Sequence, residues 1–104
     1  MMKRRQSASR QDAQAAAEHL AIAALGFIAG EPERLGRFLA MTGIGPDSIR
    51  AAAREPQFLL GVLDHLAADE QLLLAFAAEN AIDPGEVIKA RDTMAGRRWE
   101  RDTP

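Results

Sequence analysis

Four prolines constrain this chain more than any other feature, because each stands directly before a run of residues with helical periodicity. They are Pro32, Pro46, Pro56 and Pro84. Proline has no amide hydrogen and a fixed φ of about −65°, so it suits the first turn of a helix and breaks a helix interior. Each proline therefore predicts the first residue of a helix, and the residues before it predict a connection.

Acidic residues and glycines complete this pattern of helix starts and stops. Asp69 and Asp83 occupy N-cap positions, and Gly30, Gly43 and Gly96 follow helical runs as candidate stops. The predicted helices run from Ser9 or Gln11 to Ala29, Pro32 to Met41 or Thr42, Pro46 to Arg54, Pro56 to about Ala68, Asp69 to about Asn80, and Pro84 to Ala95.

Composition favours helices over strands throughout the 104 residues. Alanine, the best helix former, occurs 21 times, valine and isoleucine together occur eight times, and tyrosine is absent. No segment alternates apolar and polar residues as a half-buried strand does. The sequence predicts an all-α fold, a compact bundle of about five to six short helices in one domain at residues 11–96. We expect a flexible basic N-terminal arm at 1–10 and a short C-terminal tail at 97–104.

Apolar residues define the faces that the helices should bury. In the first helix, Leu20, Ala24, Phe27 and Ile28 share one face, and Ile22 belongs to a second half that is apolar nearly all round. In the second helix, Leu35, Phe38, Leu39 and Thr42 form one stripe, which leaves Arg34 and Arg37 away from it.

Charge and residue types exclude several functions. Residues 11–96 carry six basic and thirteen acidic side chains, so the body of the domain should repel a polyphosphate ligand. Cysteine is absent, which excludes disulfides and thiolate chemistry and is compatible with the cytoplasm. The longest charge-free apolar stretch is about half of the roughly 20 residues that span a membrane, so no membrane association is expected.

The turn Thr42 to Pro46 has two interpretations. Its glycines could present amides to a nucleic-acid phosphate, as in a helix-hairpin-helix loop, or could simply end one helix before the next. Asp47 opposes the phosphate interpretation, and four arginines could support it if they converge. The candidate partner or phosphate contacts are Gly43, Ile44, Gly45, Arg34, Arg37, Arg50 and Arg54.

Catalytic and metal-binding patterns are weak. His65 and Asp69 lie one helical turn apart but lack a third ligand at helical spacing, so a shared surface hydrogen bond is the expected arrangement. The sequence holds neither a Walker loop nor His-Glu-x-x-His, and no serine lies in Gly-x-Ser-x-Gly. We therefore expect no cofactor and no enzyme activity. Trp99, the single tryptophan, either folds back on the bundle or anchors a partner.

Two parts of the chain resemble a bacterial family known as a domain of unknown function, number three-five-seven-two. The similar residues are Ala24 to Ala29, Pro32 to Leu39, Thr42 to Pro46, Phe58 to Asp64, Asp69 with Glu70, and Leu72 to Ala77. The resemblance covers roughly Ala16 to Ala95 and implies a cytoplasmic alphaproteobacterial helical domain with no catalytic residues to transfer. It also implies that the turn and the Arg-Phe-Leu stripe belong to the fold.

Two functions remain open at this point. The first is a small non-catalytic helical module that binds a protein partner or a second copy of itself through apolar helix faces. The alternative is a nucleic-acid-associated protein that uses the Gly-Ile-Gly-Pro turn and the basic arm, although the acidic body disfavours it.

Overall fold

The computed structural model describes the backbone of residues 2–102 and the side chains of residues 11–96. Within these limits every regular element is helical, which confirms the predicted all-α fold. A 3-10 turn, Pro46–Ser48, precedes the third α-helix. The α-helices are α1 (Met2–Ala29), α2 (Pro32–Thr42), α3 (Ile49–Ala52), α4 (Pro56–Ala67), α5 (Glu70–Glu79) and α6 (Pro84–Asp102).

All four prolines begin helical elements, as the sequence predicts. Pro32, Pro56 and Pro84 are the first residues of α2, α4 and α6, and Pro46 opens the 3-10 turn. The backbone is extended immediately before α2 and α4, with φ of −133° at Glu31 and −97° at Glu55. This is the conformation that proline imposes on its predecessor.

Both predicted aspartate caps are confirmed. The carboxylate of Asp69 accepts a hydrogen bond from the Leu72 N–H at 3.1 Å, and that of Asp83 accepts one from the Gly85 N–H at 2.8 Å. Each bond satisfies an amide that the first turn of a helix leaves without an intrahelical acceptor.

Gly43 is the one described glycine in the left-handed region, with φ of 73°, and its N–H donates to the Leu39 carbonyl at 2.8 Å. The predicted stop of α2 at Gly43 is therefore confirmed.

The predicted stop at Gly96 is wrong, because α6 continues through Gly96 to Asp102. A glycine ends a helix where the chain turns to positive φ, and Gly96 keeps an ordinary φ. At the other end, α1 begins at Met2 rather than at Ser9 or Gln11.

The limits predicted for the arm and the tail stay predictions. The side chains of residues 1–10 and 97–104 lie outside the described residues, and so does the side chain of Trp99.

The core lies where α1, α4 and α6 pack against one another. Small residues bring α1 close to its neighbours, since Ala17, Ala21 and Ala24 are all buried. On α4 the buried side chains are Leu59, Leu60, Val62, Leu63 and Leu66, and on α6 they are Val87, Ala90 and Met94. The second half of α1 is apolar nearly all round, but its burial is incomplete, because Ile22 is 51% exposed and lies away from this three-helix contact.

Helix α2 contributes one fully buried side chain to the bundle. Phe38 is fully buried and meets Phe58 and His65 edge to face, with ring centroids 5.7 and 5.1 Å apart. Leu35 and Leu39 are only partly buried. The predicted stripe of α2 is therefore confirmed in direction, but a single residue supplies its deep contact.

No single helix of the described chain combines the length and apolar character that a membrane crossing requires. The pair Gln11–Ala29 and Pro32–Thr42 meets both conditions together, across a bend of 115°.

Two glycine substitutions should have opposite effects on stability. Gly43→Ala places a Cβ at positive φ and should lower the free energy of unfolding by about 1 kcal/mol. Gly96→Ala removes a glycine from a helix and should raise it by roughly 0.5–1 kcal/mol. Urea denaturation followed by circular dichroism measures both changes. A loss of stability in Gly96→Ala would show that this glycine does end a helix.

Candidate functional site

An open groove of about 830 Å³ lies between α2 and α4 and is bordered by the start of α5. We call it the α2–α4 groove. Residues of the α2 wall include Arg34, Arg37 and Met41, and residues of the α4 wall include Gly61 and His65. The groove exists because Phe38 holds α2 to α4 at depth, whereas the outer parts of the two helices stay apart.

The α2 wall presents side chains at helical spacing. Arg34, Arg37 and Met41 stand three and seven residues apart, so they share one face. Arg34 is already engaged, because its guanidinium lies 4.1 Å from the centre of the Phe27 ring and 3.3 Å from the Glu31 carboxylate. Arg37 is exposed and makes no ion pair with any described residue. Met41, at 75% exposed, is the most exposed large apolar side chain described.

The α4 wall is a second face of that helix, separate from the face in the core. Gly61, Asp64 and His65 of α4 and Ala68, the residue directly after it, follow the i, i+3, i+4, i+7 spacing that aligns side chains along a helix. Asp64 forms an ion pair at 3.6 Å with Arg91 of α6. Its charge is therefore partly balanced inside the domain.

Gly61 leaves a gap in this wall. A Cβ built at Gly61 would have no neighbouring atom within 4 Å, so packing inside the chain does not require a glycine there. Glycine inside a helix costs roughly 0.5–1 kcal/mol relative to alanine. Gly26, Gly36 and Gly96 have the same open space but lie outside the groove, whereas Gly61 lines it.

His65 forms part of the groove floor. Its ring packs edge to face against Phe38, with centroids 5.1 Å apart. Burial lowers the pKa of the His65 imidazole, and the negative charge of Asp69 opposes that shift. Near neutral pH the imidazole is therefore uncharged, which suits a partly apolar floor.

The hydrogen bond predicted between His65 and Asp69 is wrong. Among the described residues, His65 has no side-chain hydrogen bond, and the Asp69 carboxylate instead accepts from the Leu72 N–H to cap α5. Nor do three histidine or acidic side chains of the described chain converge in a metal-binding arrangement.

The start of α5 supplies the acidic edge of the groove. Glu70 is exposed, lines the groove and forms no ion pair with a described residue. Together with Arg37 on the α2 wall, it gives the groove one positive and one negative side.

The turn after α2 uses two of its amides inside the chain. The Gly43 N–H donates to Leu39, as described above, and the Ile44 N–H donates to the Thr42 hydroxyl at 3.4 Å. Ile44 is partly buried, and Gly45 precedes the 3-10 turn with an extended backbone. This geometry favours a helix stop, since a phosphate loop needs amides that still point outward.

The four candidate arginines occupy different environments. Arg34 and Arg37 line the α2–α4 groove, whereas Arg50 on α3 and Arg54 after α3 do not. Arg50 and Arg54 are both exposed.

Sequence reasoning missed Met41, Gly61 and Glu70 as groove residues. A glycine inside the apolar run of α4 was the one local signal for Gly61.

The fold and the groove define a small all-α domain with an open groove between two helical walls. The chain belongs to the family described as Protein of unknown function (DUF3572), whose model matches residues 14–97. That match confirms the resemblance to an uncharacterised domain family. No curated protein and no solved structure matches the chain.

The pH dependence of stability should report the partial burial of His65. Its pKa in the folded protein lies below the ordinary value of about 6.5, so below that pH the unfolded chain binds the proton more strongly. The stabilisation is complete above about pH 6.5 and decreases as pH falls towards the folded-state pKa. The stability advantage of the wild type over His65→Gln should therefore shrink between about pH 7.5 and 5.5.

Chemical denaturation at both pH values gives this difference, and titration of the His65 ring protons by NMR gives the pKa itself. An advantage that grows as pH falls would contradict the proposed burial effect.

Proposed function

We propose that this protein is a small non-catalytic interaction module and that the α2–α4 groove receives a helix of another polypeptide chain. The observation that carries the proposal is the α4 wall. Gly61, Asp64, His65 and Ala68 line this wall, which faces Arg37 and Met41 across an open groove. Its deep contact with α2 is the ring of His65 against Phe38.

The groove is an open space between two helical walls, one on α2 and one on α4. Binding by insertion of an amphipathic helix between two helices is a common mode of peptide recognition.

The openness of the groove favours a polypeptide over a small molecule. Sites for small molecules usually bury about 70–90% of the ligand surface. Here Ala40 and Met41 on one wall and Ala68 on the other are exposed, so a small ligand would stay largely in water. A longer helix could contact both walls and continue beyond them.

We propose no catalytic role for the groove. Three of its charged side chains have structural contacts, with Arg34 on Phe27, Asp64 on Arg91 and Asp69 at the cap of α5. Residues that catalyse reactions usually combine a nucleophile, a base and an orienting group at short distances. The described groove side chains show no such set.

Site-specific photocrosslinking in cells that naturally produce this protein tests the proposed function. A photoreactive amino acid at Ala68 should form a covalent adduct with a polypeptide, because this position lies in the groove wall. The same group at Ala51, which is exposed on α3 and outside the groove, is the matched control. Mass spectrometry of the adducts identifies the crosslinked residue of the partner.

A blocking substitution makes the test specific. Gly61→Leu should fill the groove and abolish the Ala68 adduct, while the open space around Gly61 leaves the fold intact by circular dichroism. Adducts of equal yield at Ala68 and Ala51, or an Ala68 adduct that survives Gly61→Leu, would contradict the proposal.

A further inference from the structure

We infer that the helix received by the α2–α4 groove is α2 of a second copy of this chain, so that two copies bind each other reciprocally. This inference rests on the proposed function and adds the identity of the partner. The first observation that supports it is the set of charged groove side chains that have no partner inside the domain.

Most charges around the groove have partners inside the domain. Arg34 lies on Phe27 and Glu31, Asp64 pairs with Arg91, and Asp69 caps α5. Among the described groove residues, Arg37 and Glu70 alone are charged and lack such a contact. One stands on the α2 wall and the other on the opposite side, at the start of α5.

This arrangement is complementary to itself. In a twofold pair, a residue that contacts another on the partner is contacted by the same residue in return. When α2 of one copy enters the groove of the other, Arg37 can meet the partner's Glu70, and Glu70 can meet the partner's Arg37. A single type of ion pair therefore forms twice.

The shapes of the two surfaces agree with the charges. Met41 lies one helical turn after Arg37 on the same face of α2 and is 75% exposed. Gly61 leaves open space on the α4 wall, with nothing within 4 Å of a built Cβ. The exposed Met41 side chain of one copy can insert into the gap at Gly61 of the other, as in knobs-into-holes packing between helices.

Sedimentation velocity of the full 104-residue chain tests the inference. The wild type should move from 11.3 kDa towards twice that mass as concentration rises. Arg37→Glu and Glu70→Arg should each place like charges together and raise the dissociation constant at least about 10-fold. The exposed-site variants Arg50→Glu and Glu79→Arg make the same charge changes outside the groove and should leave the dissociation constant unchanged.

Mixing the two groove variants gives the decisive result. A chain with Arg37→Glu and a chain with Glu70→Arg repel copies of themselves but attract each other at both contacts. The equimolar mixture should therefore form heterodimers with a dissociation constant close to that of the wild type. Circular dichroism of each variant confirms that the fold is retained.

Three results would overturn the inference. They are a wild-type mass of 11.3 kDa at all concentrations up to about 1 mM, a dimer that is insensitive to both groove substitutions, and a mixture that associates no better than its components. Failure here is distinguishable from failure of the proposed function. A monomeric chain that still gives a groove-dependent adduct with a different protein at Ala68 would retain the function and exclude the second copy.

Discussion

The burial of Phe38 is the interaction that anchors α2 to α4. It is the one described residue of α2 with no exposed surface, and its ring meets Phe58 and His65 of α4 edge to face. Complete burial of such a ring stabilises the fold by roughly 1.5–3 kcal/mol. Because this contact lies deep and near the middle of α2, the helix is held to the bundle while its outer face stays separate from α4. The groove is therefore a consequence of how α2 is anchored.

Local features of the sequence were sufficient to predict where most helices begin. Proline geometry at Pro32, Pro56 and Pro84 and the caps at Asp69 and Asp83 depend on neighbouring residues alone. The predicted stop at Gly96 is wrong for a related reason. Glycine permits a left-handed residue but does not require one, and only the surrounding chain decides between these states.

Local features of the sequence did not predict which faces of the helices pack together. Ile22 belongs to an apolar run, yet it lies outside the contact of α1 with α4 and α6. The groove joins α2, α4 and α5, so its composition depends on which faces of three helices meet. The sequence predicted Arg34 and Arg37 as contacts but gave no means of separating them from Arg50 and Arg54, which lie outside the groove.

The central claim is that the α2–α4 groove binds a helix of another chain, which we infer to be α2 of a second copy. Gly61 is compatible with this claim because it leaves open space on the groove wall. The most direct measurement is the change of backbone amide NMR shifts of the full chain with its own concentration. We expect concentration-dependent shifts at Arg37, Met41, Gly61 and Glu70, and constant shifts at core positions such as Val87. Shifts that stay constant at the groove residues, or that change instead on α3, would contradict the account.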